Sequence, residues 1–207
     1  MTLLVLASGS PRRSALLGDL GLTFEVRPAD VDEAPEPGEP AEGLVRRLAV
    51  AKAEAGLAAA PERPIVVLAA DTVVSVDGEV LGKPVDGADA ARMLRLLSGS
   101  RHQVLTGVAV ATSHGTAASL CVEVEVTHVH MGPWTDEQIA AYVASGEPMD
   151  KAGSYAIQEV GDRFVTRIEG SFDNVVGLPM VRTRRMLLEA GVALPATGPA
   201  GDQPPEV

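Results

Sequence analysis

The sequence predicts a mixed α/β fold, and three observations carry that prediction. A short apolar run, Leu3 to Ala7, stops at Ser8-Gly9 and leads into a helix with a start signal. The β-branched run IVVLAADTVVSV at 65–76 is the strongest strand signal and the expected central strand. Asp77-Gly78 then forms a hairpin turn, and two long strands follow, so the chain is not a pure repeat of parallel βαβ units.

Each element has a local cause. Ser10 is an N-cap, Pro11 suits the first helical position, and Leu16, Leu17 and Leu20 make an apolar stripe up to Gly21. Residues 24–27 predict a second strand. Residues 30–42, with six acidic residues and three prolines, predict an acidic loop. A helix is expected over 43–59, with Leu44, Val45, Leu48 and Ala55 on one side. Residues 79–81 complete the hairpin. Residues 86–97 predict a helix with Met93, Leu94 and Leu97 inward, closed by Gly99. Strands are expected over 103–111 and 119–130. In the second, Val122, Val124 and Val126 alternate with Glu123, Glu125 and Thr127, which predicts one solvated face. Thr135 and Gln138 form a capping box for a helix that runs to Gly146. Short strands near 154–157 and 163–168 and a last helix from Pro179 to Gly191 follow. One domain is expected over 1–192, with a disordered tail over 193–207.

Composition narrows the function. The 207 residues carry a formal net charge of −11, which argues against a nucleic-acid binder, whose affinity comes mainly from neutralising phosphates. Aromatic residues are only 3%, too few for a stacking platform along a single strand. No apolar segment is long enough to span a membrane or to serve as a signal peptide. The lone Cys121 forms no internal disulfide; it is expected to be a buried, inert thiol in a cytoplasmic protein.

Three stretches could carry chemistry. Ser8-Gly9-Ser10-Pro11-Arg12-Arg13 places a glycine turn, a helix N-terminus and two guanidinium groups together, which favours an anion such as a phosphate. Asp71 interrupts the most hydrophobic strand, where a carboxylate is costly unless paired, metal-bound or at a strand end. Lys83, held by Gly82 and Pro84, could reach a phosphate. Gln158 follows Ile157 at an expected strand end, where its amide could read the edge of a planar ring.

Seven segments in order give these stretches a common context: LASGSPRRSALL, a helix containing Lys52-Ala53, AADTVV, GEVLGKP, GSRHQVLTGVAV, YVASGEPMDKAGSYAIQ and GSFDNVVGLP. Over residues 3–190 the chain resembles the Maf family of nucleotide pyrophosphatases. It is most similar to the subgroup acting on dTTP and UTP, in having Ala70-Asp71-Thr72 and the pair Ile157-Gln158. The resemblance implies an elongated, twisted mixed β-sheet flanked by helices, as in inosine triphosphate pyrophosphatases, with a cleft between two lobes. It implies hydrolysis of a nucleoside triphosphate to the monophosphate and diphosphate with Mg²⁺ or Mn²⁺, as nucleotide-pool house cleaning. By motif match, Asp71 is the general base, and Arg12, Thr72 and Gln158 occupy the positions associated with substrate choice. Ser8, Ser10, Arg12, Arg13, Lys52 and Lys83 are the expected phosphate-binding groups, and Glu33 and Asp71 the expected metal ligands. His102 is expected to be structural. Family precedent points to a homodimer. A broader triphosphate pyrophosphatase and a non-enzymatic nucleotide-sensing regulator of cell division are the alternatives. Two departures stand out: Ser154-Tyr155-Ala156-Ile157 replaces the usual Ala-Tyr-Gly-Ile, and Glu159 stands where Gly usually follows Gln158.

Overall fold

A computed structural model describes residues 2–59, 64–114 and 117–195. The chain builds one mixed sheet with helices on both faces. Its strands are β1 (Leu3–Leu6), β2 (Glu25–Val26), β3 (Ile65–Val76), β4 (Glu79–Leu81), β5 (Arg101–His114), β6 (Ala117–Met131) and β7 (Val165–Glu169). The helices are α1 (Pro11–Gly18), α2 (Ala41–Ala58), α3 (Gly87–Leu97), α4 (Asp136–Ala144), α5 (Ile157–Phe164), α6 (Phe172–Val176) and α7 (Met180–Glu189). The strand order is β2-β1-β3-β5-β6-β7, with β4 also on β3. β1 is parallel to β2 and β3, and the other pairs are antiparallel.

One detail of the register opens the cleft. β1 accompanies β3 only from Ile65 to Leu68, and β4 only from Val74 to Val76. Between them Ala69–Val73 bond to β5 alone. That break in one edge of β3 separates two packed regions. On the β1 side, α1 and α7 cover one face through Leu17, Met186 and Leu187, while α2 covers the other through Ala49 and Ala53. On the β4 side, α3, α4 and α5 enclose Leu94, Leu97, Ile139, Val160 and Phe164. The expected twisted mixed sheet flanked by helices is present, with a packed region on either side of the break.

Two glycines set the seat of α2. A Cβ on Gly107 of β5 would lie 2.2 Å from the Val45 carbonyl oxygen, and one on Gly56 would lie 2.8 Å from the Val67 side chain. Side chains larger than hydrogen would push the helix off the sheet. Gly107 pairs directly with Asp71, so this close approach also brings α2 over the acid.

The local start signals hold. The Ser10 hydroxyl accepts from the Arg13 N–H with Pro11 in the first turn, and Thr135 with Gln138 makes a complete capping box. Asp86 caps α3. Three expectations need correction, and one open alternative closes. No strand forms at 154–157. Gly153 and Ser154 take left-handed backbone, Tyr155 is extended, and α5 begins at Ile157. Its apolar residues Ile157, Val160 and Phe164 recur at helical spacing, and that spacing outweighs the short Tyr-Ala-Ile run. Of the three settings in which the Asp71 carboxylate is tolerable, the strand end drops out, since Asp71 lies seven residues into the twelve-residue β3. The glutamate face of β6 is not simply solvated, because Arg182 and Arg185 of α7 pair with Glu123, and Arg182 reaches Glu125 at 2.6 Å. Cys121 is exposed rather than buried, since β6 is uncovered on both faces from Ala118 to Cys121. From residue 196 onward the expected tail lies outside the described residues.

His102 is structural, as expected. Its ring is buried, with Nε2 2.8 Å from the Tyr155 hydroxyl. Burial, with a smaller contribution from the charge of His130, pushes its pKa down from 6.5 to about 4. Unfolded His102 therefore takes up a proton at a higher pH than folded His102. Stability should fall as pH drops from about 6.5 to about 4, by up to about 3 kcal/mol from this group, and no further below that window. Urea unfolding of wild type and His102→Gln across this range checks it. The variant should show a flatter profile, and parallel profiles would remove His102 as the cause.

Candidate active site

The break in β3 opens into a cleft of about 810 Å³ that reaches from the Ser8–Arg13 segment to Gln158. Its charged lining is five cations, Arg12, Arg13, Lys52, Lys83 and Lys151, against three acids, Glu33, Asp71 and Asp150. A protein of net charge −11 thus keeps a locally cationic cavity, the sign that a polyanion requires.

The centre of the cleft is a shared ammonium. Lys52 projects from α2, and its Nζ lies 2.5 Å from Glu33 Oε1 and 2.6 Å from Asp71 Oδ1. Lys52 and Asp71 are both buried. Burial pushes the Glu33 carboxyl up, but the Lys52 hydrogen bond and the charges of Lys52, Lys83 and Arg13 outweigh it and hold Glu33 below the usual carboxylate range. Lys83 is exposed, with its Nζ 3.8 Å from Glu33 Oε2.

A second cation is held by a different set. Arg13 Nε donates to the Gly177 carbonyl at 2.8 Å, Nη1 to Ser8 Oγ at 3.0 Å and Nη2 to Thr72 Oγ1 at 2.9 Å. Three of its five N–H groups are thereby used, and two remain for an anion. Burial lowers the Arg13 pKa, an effect that Asp71 opposes; a guanidinium stays charged regardless. Ser8 also accepts from the Ser10 N–H, while the Ser10 hydroxyl is committed to the helix cap.

Residues of the 149–158 segment contribute the opposite wall. Arg12 is 3.5 Å from Asp150 Oδ2. Lys151, whose side chain is only 6% exposed, bonds the Glu147 carbonyl at 2.5 Å and Asp150 Oδ1 at 2.8 Å, and lies 3.6 Å from Glu159 Oε1. Gln158 is exposed on the first turn of α5 and lines the cleft. Glu159, in place of the usual glycine, accepts from the Tyr142 hydroxyl at 3.0 Å and so ties α5 to α4. All the residues expected at the site meet in this one cleft. Lys151 and Asp150, which also belong to it, had no separate role in the sequence reading; a charged pair between Pro148 and Gly153 was the available signal.

Among the described residues no three His, Cys, Asp or Glu side chains group to hold a metal. The two carboxylates on Lys52 do fit a hard divalent cation that arrives with its substrate, since Mg²⁺ is commonly held by one or two carboxylates plus phosphate oxygens and water.

Fold and cleft together define an α/β protein with a cation-lined anion site at a break in a sheet edge. The description Maf-like protein matches residues 3–190, and the chain belongs to that family. A dTTP/UTP pyrophosphatase from an Anaeromyxobacter species is 51% identical, the match covering 96% of this chain and 94% of the relative. Another, from Shewanella oneidensis, is 53% identical, covering 91% and 98%. A HAM1 protein structure from Coxiella burnetii has 16% identity and a TM-score of 0.40, covering 91% of this chain and all of its own, a likeness too slight to argue from.

Replacing Lys52 should expose the strain of the centre. Lys52→Met leaves buried Asp71 without its partner and should cost about 3–5 kcal/mol in urea unfolding. Adding Asp71→Asn should recover part of that loss. Additive effects would mean the two side chains do not depend on each other.

Proposed function

We propose that the chain hydrolyses dTTP and UTP to the monophosphate and pyrophosphate in the cytoplasm, as nucleotide-pool house cleaning. The observation that carries this reading is Asp71 held by Lys52 at the centre of a cation-lined cleft. The printed activity of relatives about half identical over nearly the whole chain supports it.

Arg12, Arg13, Lys83 and the α1 N-terminus after Ser10 bind the phosphate oxygens, and the two unused Arg13 N–H groups face that task. Lys52 fixes Asp71 through Oδ1, which leaves Oδ2 without a protein partner among the described residues. Asp71 takes the proton of a water that attacks the α-phosphorus. The new P–O bond forms as the bond to the β-phosphate bridge breaks, and pyrophosphate leaves. A Mg²⁺ or Mn²⁺ ion held by Glu33, Asp71 and the phosphates would neutralise charge on the phosphate oxygens. Gln158, on the cleft wall, offers a donor and an acceptor to the base edge.

Pyrophosphate release from a panel of canonical and modified triphosphates, with either metal, tests the reading. Release confined to dTTP and UTP is expected. Broad release would make it a general pyrophosphatase, and none would favour a binding module. Asp71→Asn should lower kcat by ~10²–10⁴-fold with the fold intact, because Glu33 still pairs Lys52. Gln158→Glu should change the ratio of kcat/KM between UTP and CTP, and an unchanged ratio would remove it from base recognition.

A further inference from the structure

A chain of hydrogen bonds leaves the cleft at Arg13 and crosses the sheet. Arg13 Nη2 lies 2.9 Å from Thr72 Oγ1, which lies 2.9 Å from Thr106 Oγ1, which lies 3.3 Å from the Asn174 carbonyl oxygen. Donor arithmetic sets its direction. A carbonyl only accepts, so Thr106 gives its one hydroxyl proton to Asn174 and must accept from Thr72. Thr72 then has no proton left and accepts from the guanidinium, which only donates. The 3.5 Å contact from Thr72 to the Gly177 carbonyl is at the limit of a hydrogen bond.

The far end is anchored. Asn174 Nδ2 donates to the Val104 carbonyl and to Thr127 Oγ1, both at 3.0 Å. Thr127 Oγ1 also accepts from the Ser171 N–H and donates to the Ser171 carbonyl, both at 3.1 Å. Thr106, Thr127 and Asn174 have no solvent exposure. The same segment ends at Gly177, whose φ of +121° suits glycine and whose carbonyl takes the Arg13 Nε–H.

We propose that Thr106 and Asn174 are positioning residues for Arg13, and that Thr72 affects substrate choice by steering this guanidinium, not by touching the base. The one hydroxyl proton of Thr72 is already given to Thr106 and one of its lone pairs takes the Arg13 N–H, and the segment Ser171–Gly177 is the strap that holds Arg13 on two of its nitrogens. The effect on substrate rests on the pyrophosphatase reading above; the effect on Arg13 does not.

The test has one arm without substrate and one with it. In nitrogen-15 spectra of the free protein, the Arg13 Nε–H should exchange with water at least about tenfold faster in Thr106→Val than in wild type, with Thr106→Ser restoring the slow rate. For UTP, Thr106→Val should lower kcat/KM by up to about tenfold, the worth of one neutral hydrogen bond in the chain that positions Arg13. In an Arg13→Ala background the same substitution should change nothing further. Thr72→Val cuts the chain one step nearer to Arg13 and replaces Thr106→Val if that variant does not fold. Unchanged exchange, or additive losses in the double variant, would overturn the positioning role. A wild-type protein that holds Arg13 Nε–H but cleaves no triphosphate would overturn the pyrophosphatase reading alone.

Discussion

The Lys52 ammonium between Glu33 and Asp71 is the contact on which the cleft depends. A buried carboxylate in the middle of a β-branched strand is unfavourable without a charge partner. The partner arrives from α2, and α2 lies close enough only because Gly107 and Gly56 have no side chains to hold it off. The third group, Glu33, comes from the acidic loop before α2 and stays ionised because Lys52 outweighs its burial. Close packing in the core and charge pairing in the site are therefore consequences of one helix placement.

The same logic separates surface from site. The acidic excess keeps most of the molecule negative, while five cations line one cavity. Those cations are individually restrained: Arg13 by Ser8, Thr72 and Gly177, Lys151 by Glu147 and Asp150, Lys52 by its two acids. Arg12 is held more loosely, by a 3.5 Å contact to Asp150, and Lys83, with a side chain 62% exposed, has the most freedom to follow a ligand. Preorganised charge of this kind needs little rearrangement when a polyanion binds.

Much of this was legible in the sequence because it is local. The Ser10 cap, the Asp77-Gly78 turn, the Thr135–Gln138 box and the β-branched run around Asp71 are short-range patterns with short-range causes. The site residues were legible through a family resemblance; nothing in their spacing alone brings Lys52 to Asp71. What the sequence hid is non-local. The break in the β3 edge depends on where β1 ends and β4 begins, and the exposure of Cys121 on which helices reach β6. The role of Asn174 depends on Thr106 and Thr127, far from it in sequence. The helix at Ile157–Phe164 was legible in principle, since Ile157, Val160 and Phe164 share its period, but a three-residue apolar run obscured it.

The proposed chemistry places the attack of water at the α-phosphorus. Hydrolysis of UTP in oxygen-18 water tests it most directly, with mass analysis of both products. The heavy atom is expected in UMP and not in pyrophosphate. Label in pyrophosphate, or orthophosphate as the first product, would contradict it.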